Sequence, residues 1–462
     1  MNGIKLMLAA ALALTGAAAR ADGELDGLWL EGETDRALPV YSIGDAVNFR
    51  VRFTGEARDF PSNTWKLVWR RSGDDGVRES GEFPLDAASL TNTFRFSTWA
   101  AKPGFIRLHA EIHSVSGTQY RCGPALVTWW RNTIFCDLGA AVDPEKIVAA
   151  PEPADFDAFW ARTLELGASV PVKELERREV TNAEGVTGVR TFIVKVACAG
   201  RAPTTGYLTV PQDASKDRRY PVEVRYQGYG TARAQRPGTS KGGEDTSVDA
   251  DRLIFWVNAH GWDVEHAGDE RQEGPYYDAF LKGIAPSGQN YAFDAKENAS
   301  PDTCYFRDMA LRAVRAVEYM KTLPEWNGRD VWVLGGSQGG MQATWAAALA
   351  PAVTKCTAYI MWNCDTACES LGRDRGDWYI PFAPALPYFD SANHARRVPA
   401  DCFVNVSRAG LGDWTCAPAG LALYYRNLRC RKRITWLQGS THGYIPERPT
   451  QKIELSNERT RP

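Results

Sequence analysis

The stretch Val331–Ala350, VWVLGGSQGGMQATWAAALA, decides the fold. Val331 to Leu334 is an apolar run entered from the turn sequence NGRD, and after Gly340 the segment MQATWAAALA is alanine-rich and helix-favouring. Ser337 sits where the strand gives way to the helix. A bare G-x-S-x-G pattern is weak in a chain with 41 glycines. Context strengthens it, because a nucleophilic serine needs a strained strand-to-helix turn that lifts its hydroxyl above the carboxyl edge of a sheet. Both flanks meet that condition. Gly335 and Gly339 remove side chains where the strand and helix backbones must approach closely. The competing reading, a glycine loop with an incidental serine, explains neither flank.

A serine is a poor nucleophile until a base, itself held by a third group, takes its proton. On a strand–elbow–helix scaffold the order along the chain is serine, acid, histidine. Of six histidines only His394 and His442 follow Ser337. His442 lies in WLQGSTHGYIPE, directly after the last clear strand, and is the expected base; His394, in YFDSANHARRVP, reads as a surface residue. The expected acid is Asp413, in the Gly-bounded loop after the strand of DCFVNVSRAGLGDWTCAP. Asp401 precedes that strand, at the wrong end of the sheet, and no apolar strand ends just before Asp390. Two backbone N–H groups must face the developing oxyanion. Gln338 should give one, and the turn in VEVRYQGYG the other, through Tyr226 or Gln227.

Working outward, short apolar strands alternate with helices from about Pro153 to the end. This predicts an α/β fold, a mainly parallel sheet flanked by helices, over 152–460. YFRDMALRAVRAVEYMKTL is its clearest helix, with Phe306, Met309, Ala313, Val317 and Met320 on one stripe. In ADFDAFWARTLELG the stripe is Phe156, Phe159, Trp160 and Leu164. Pro151 and Pro153 punctuate a linker. Before it, residues 22–145 read as an all-β, sandwich-like domain: YSIGDAVNFRVRF, NTWKLVWRRSG and GPALVTWW are β-branched and aromatic runs between turn residues. His109 and His113 fall in a strand there and read as structural. Residues 1–21 have the pattern of an export signal, with Lys5, an apolar run from Leu6 to Leu14 and the small-residue motif Ala19-Arg20-Ala21. The expected location is periplasmic or secreted.

Composition closes other routes. The formal charge is −2 with no basic run, which argues against nucleic acid as a partner. No later stretch is long and apolar enough for a membrane span. Ten cysteines show no C-x-x-C pair, and no H-E-x-x-H occurs, so no metal and no cofactor is expected. Buried thiols with a few bridges are the expectation for the cysteines, Cys122 and Cys136 flanking one apolar segment.

At this point the motifs resemble a known family. DFDAFW, YQGYG, GGSQGG, PYFD at Pro387–Asp390, GLGDWTCAP and the THG loop, in that order, are similar to the acetyl xylan esterase and cephalosporin C deacetylase group, carbohydrate esterase family seven, of α/β-hydrolase fold. The resemblance covers roughly Pro153 to Ser456. It implies Ser337, Asp413 and His442 as nucleophile, acid and base, and favours Tyr226 with Gln338 for the oxyanion. It also implies removal of acetyl groups from small acetylated sugars, without a metal. The chain departs from the family in His260-Gly261-Trp262, where Arg-Gly-Gln is usual, and in Gly443 after the histidine, where Glu is common. These changes touch the family's ring-like homo-oligomer and its substrate pocket. The expectation is therefore an exported serine carboxylesterase acting on a small acetylated carbohydrate. A serine peptidase or other acyl-ester hydrolase of this fold is the first alternative, and a non-catalytic glycan-binding protein the second.

Overall fold

The computed structural model describes residue 25 and residues 27–55, 64–121, 133–230, 236–239, 247–266, 274–285, 288 and 290–458. The expected export signal, Cys122 and the expected strand GPALVTWW lie outside the described residues.

The strands before Asp143 are β1 (Leu28–Thr34), β2 (Val40–Tyr41), β3 (Val47–Gly55), β4 (Trp65–Gly73), β5 (Glu79–Pro84), β6 (Thr93–Thr98), β7 (Gly104–Ser114) and β8 (Phe135–Val142). They form two sheets, ordered β1-β3-β6 and β2-β8-β7-β4-β5. Strand β3 shows why: Val47, Phe49, Val51 and Phe53 turn inward, and Asn48, Arg50 and Arg52 turn out. The inward faces share one core with Leu28, Leu67, Leu108, Ile112 and Leu138. His109 is bound to Asp137 at 2.9 Å and His113 to Glu111 at 3.2 Å, which makes both structural.

After the linker come helix α1 (Phe156–Ala168) and strands β9 (Glu174–Val180), β10 (Val189–Val196), β11 (Thr204–Pro211), β12 (Tyr220–Tyr226) and β13 (Leu253–Val257). Helices α2 (Pro275–Ile284) and α3 (Tyr305–Met320), strand β14 (Trp326–Gly336), helix α4 (Gln338–Leu349) and strand β15 (Lys355–Tyr359) follow. The chain ends with α5 (Ser391–His394), β16 (Phe403–Gly410), α6 (Pro418–Asn427), β17 (Arg431–Leu437) and β18 (Lys452–Ser456). The sheet runs β9-β10-β11-β13-β12-β14-β15-β16-β17-β18. It is parallel from β13 through β17 and antiparallel at both ends. Central strands are continuous apolar runs, as in the fully buried LIFWV of β13, because helices cover them. Phe306, Met309, Ala313, Val317 and Met320 of α3 are all buried. In α1 Phe156, Phe159 and Trp160 are buried, and Leu164 is partly so.

Two readings need correction. His394 is not on the surface: it is fully buried, edge-on to Phe156 and Trp160, and its Nε2 donates to the Tyr388 carbonyl at 3.0 Å. Its neighbours along the chain are polar, but its packing partners come from α1. Burial drives its pKa down to about 3, so it stays neutral. The expected bridges do not form among the described cysteines, of which nine are free and most are buried.

The sandwich and the large sheet are not separate bodies joined only by a linker. Phe105 and Ala141, on β7 and β8, belong to the same apolar core as Trp436 of β17, and the Phe105 and Trp436 rings are 5.5 Å apart.

Candidate active site

Ser337 links β14 to α4 with φ 54 and ψ −122, a left-handed conformation that costs a non-glycine residue energy. The surroundings hold it there. Its N–H donates to the Tyr359 carbonyl at 3.0 Å, and its own carbonyl accepts from Met341 and Trp362, each at 3.2 Å. A Cβ on Gly335 would fall 2.3 Å from the Gly339 carbonyl, and one on Gly339 would fall 2.2 Å from the Tyr226 oxygen. The close approach read from the sequence is therefore present at both glycines.

Gln338 opens α4, so its N–H has no acceptor within the helix and points out of the amino end, where a negative charge is favoured. Tyr226 ends β12, paired between Val257 and Gly335, and its hydroxyl donates to the Ala313 carbonyl at 2.8 Å. The turn beyond it is tied to α4: Gln342 Nε2 donates to the Gln227 carbonyl at 2.9 Å. Tyr291 links the same parts, donating to Gln338 Oε1 at 2.8 Å and accepting from the Gly230 N–H at 3.1 Å.

Asp413 and His442 emerge from the carboxyl ends of β16 and β17, two adjacent strands beyond β14 and β15. Asp413 is 2% exposed; its Oδ1 accepts the amides of Thr415 and Cys416 at 2.9 and 3.1 Å. Its Oδ2 is buried without a hydrogen-bond partner and lies 3.9 Å from His442 Nδ1. Burial raises the Asp413 pKa, opposed by the His442 charge and the two amides. Burial lowers the pKa of His442, opposed by Asp413, which favours the neutral imidazole.

A group absent from the sequence reading intervenes. Cys416 Sγ is 3.3 Å from His442 Nδ1 and donates to the Ile360 carbonyl at 2.9 Å. Ile360 follows Tyr359, whose carbonyl holds the Ser337 N–H, so Cys416, beside His442, and the elbow lean on consecutive carbonyls. Asp413, Cys416 and His442 also have the donor types of a metal site, with ligand atoms within 4.8 Å of one another. A second omission is an aromatic wall. Tyr229 stacks on Tyr291 at 4.4 Å and meets Trp378 edge-on at 4.3 Å, with Trp362 4.7 Å from Trp378. Its parts come from distant segments, and no local pattern announces it.

The model of the acetyl xylan esterase family matches residues 145–368. That match starts just after β8 and includes Ser337, while Asp413 and His442 lie beyond it. The acetyl esterase Axe7A of Xylanibacter ruminicola is 27% identical over 307 residues, 62% of this chain and 65% of that protein. The chain thus spans somewhat under two thirds of the length of this curated relative. Two solved structures share the fold at 20% identity: an acetyl xylan esterase from Paenibacillus sp. R4, with a TM-score of 0.52 over 66% of this chain and 94% of that one, and acetyl xylan esterase 1 from Thermoanaerobacterium sp. JW/SL YS485, with a TM-score of 0.51 over 66% and 93%. The α/β-hydrolase expectation is met.

Proposed function

We propose that the chain is an exported serine carboxylesterase that removes acetyl groups from small acetylated sugars such as xylo-oligosaccharides. Residues 22–145 are its β-sandwich domain and 152–460 its catalytic domain. The observation that carries this reading is that the strained Ser337 elbow and the loops of Asp413 and His442 all lie at the carboxyl edge of one parallel run of strands, with Asp413 and His442 3.9 Å apart.

Ser337 Oγ attacks the acetyl carbonyl carbon while His442 takes the hydroxyl proton. The tetrahedral oxyanion accepts the N–H of Gln338 and a second N–H from the turn at Tyr226 or Gln227, with Tyr226 favoured. Collapse expels the sugar hydroxyl, which leaves with the proton from His442, and an acetyl-enzyme remains. Water, deprotonated by the same imidazole, returns acetate and free Ser337. Asp413 keeps the imidazole in its productive tautomer and stabilises the imidazolium. The aromatic wall of Tyr229, Trp362 and Trp378 supports a small apolar acyl group. The family match supports acetyl as that group. Export rests on the sequence pattern of residues 1–21.

The test is acetate release from acetylated xylo-oligosaccharides, with a longer-acyl ester as control, by the native enzyme and Ser337→Ala. Release by the native enzyme that disappears in the variant is expected. Full activity in Ser337→Ala would rule the mechanism out.

A further inference from the structure

The sandwich meets the hydrolase half at the two loops that carry the acid and the base. Gly139, on β8, donates its N–H to Gln438 Oε1 at 2.8 Å and accepts from Gln438 Nε2 at 2.9 Å, both bonds buried. Gln438 directly follows β17 and begins the loop that leads to His442. The same amide reaches Gln451 Oε1 at 3.0 Å, and that oxygen accepts the N–H of Thr34 on β1 at 2.9 Å. Farther along this loop, the rings of Trp29 and Tyr444 are 5.2 Å apart.

The acid loop rests on the same strand. A Cβ on Gly139 would lie 1.8 Å from the Leu411 carbonyl oxygen, and one on Gly412 would lie 2.7 Å from the Asp137 carbonyl carbon. Backbone therefore touches backbone immediately before Asp413. Arg107, on β7, bonds Asp137 and Asp377 at 2.8 Å each, with its guanidinium 5.8 Å from the Trp414 ring. Asp377 in turn donates its N–H to the Trp414 carbonyl at 2.9 Å.

Both loops are rich in glycine, namely Gly410, Gly412, Gly439 and Gly443, so their own backbones resist displacement weakly. The acid and base they carry are 3.9 Å apart and must come closer to share a proton. We infer that the sandwich is a working part of the catalytic apparatus: strand β8, through Gly139 and Gln438, sets the base loop against the acid loop. Gln438 is a positioning residue that acts through His442. This rests on the Ser337–His442–Asp413 reading and gives the sandwich a role that involves no polysaccharide.

The experiment uses the full chain and p-nitrophenyl acetate, a substrate too small to need a glycan-binding appendage. Gln438→Leu removes both bonds to Gly139 at similar volume, and Gly139→Ala drives a methyl into the acid loop. Active sites are titrated with diethyl p-nitrophenyl phosphate, so that kcat is read per competent serine and losses from misfolding drop out. An ångström-scale misplacement predicts a fall of about 10- to 100-fold in kcat per site, with KM within about twofold. The acid limb of kcat/KM should also move to lower pH, because an imidazole farther from Asp413 loses the charge that raises its pKa. Arg78→Ala, which cuts only the exposed 3.0 Å pair with Asp374 between the halves, should leave kcat unchanged. If both variants keep native kcat per titrated site and a native acid limb, the inference fails, whether or not fewer sites titrate. Ser337→Ala, run alongside, separates the cases: an inactive Ser337→Ala with normal Gln438→Leu and Gly139→Ala overturns the positioning role alone. An active Ser337→Ala overturns the triad itself.

Discussion

Asp413 presents a buried, unbonded Oδ2 to His442 Nδ1 across 3.9 Å. An orphaned buried carboxylate oxygen is costly, and protonation of the imidazole would offset part of that cost by placing a positive charge beside it. The arrangement is thus more favourable with His442 protonated, as the proposed mechanism requires after proton transfer from Ser337. Asp413→Asn keeps the shape and the two amide contacts but removes the charge that stabilises the imidazolium. Its kcat on an acetyl ester should fall by about 10⁴-fold. Thermal stability should hold or rise, since a buried charge is lost, and a melting curve beside the kinetics checks both halves.

The Ser337 backbone makes a second prediction. At φ 54 and ψ −122 the residue is held in a conformation that glycine adopts freely. Ser337→Gly should abolish esterase activity and raise unfolding free energy by about 1–3 kcal/mol over Ser337→Ala, which keeps the strain. Urea unfolding of the two inactive variants is the comparison. Equal midpoints would mean that the elbow stores no strain.

The pH dependence follows from burial of the base. In the proposed mechanism only neutral His442 can accept the serine proton, and burial holds its pKa below the ordinary 6.5. Activity should therefore be flat through pH 7 and fall only as pH drops through the depressed pKa. An acid limb of kcat/KM centred above 6.5 would contradict the environment described for this imidazole.

Cys416 is the neighbour most easily mistaken for a nucleophile. Burial holds its thiol well above the usual range, so it is protonated and inert. Iodoacetamide at pH 8 should leave native activity intact. Cys416→Ala should cost about 1–2 kcal/mol of stability for the small cavity, with kcat retained within about tenfold, because Asp413 remains beside His442.

What was legible in the sequence depended on how local its cause was. The elbow could be read because strand, glycines and helix lie in one window, and the placement of Asp413 and His442 at one sheet edge because each follows an apolar strand by a short loop. Strand β9 was missed: ELERREV is a polar edge strand with no buried face to impose alternation. β10 and β11 were passed over although VRTFIVKV and TTGYLTVP are largely buried and rich in β-branched residues, a signal that was available. Cys416 reaches His442 through a turn made when Asp413 Oδ1 takes the amides of Thr415 and Cys416, a contact visible only after folding. The Gly139–Gln438 bridge has no local signature, since a glycine in a strand and a glutamine after one are ordinary residues until two sheets bring them together.

His260, which replaces the usual arginine of the resembled family, gives the last prediction. Its Nε2 is 2.9 Å from the Gly230 carbonyl and its Nδ1 is 2.7 Å from the Tyr305 hydroxyl. A carbonyl can only accept, so Nε2 carries the proton and Nδ1 accepts from the tyrosine; the neutral ring satisfies both partners. Burial holds its pKa down at about 4, which keeps that tautomer in place at neutral pH. The imidazole thereby pins the end of the turn expected to carry an oxyanion donor to the start of α3. His260→Leu would leave a buried hydroxyl and a part-buried carbonyl unpaired, at about 1–3 kcal/mol for the hydroxyl and less for the carbonyl. Stability should fall accordingly. If the turn serves the oxyanion, kcat should fall by about tenfold or more at temperatures where the variant is fully folded. His260→Arg should not restore function, because the site is 1% exposed and a guanidinium there would be a buried charge beside Arg312. A His260→Arg enzyme with native kcat and native melting would show that the turn tolerates either residue and that the imidazole holds nothing in place.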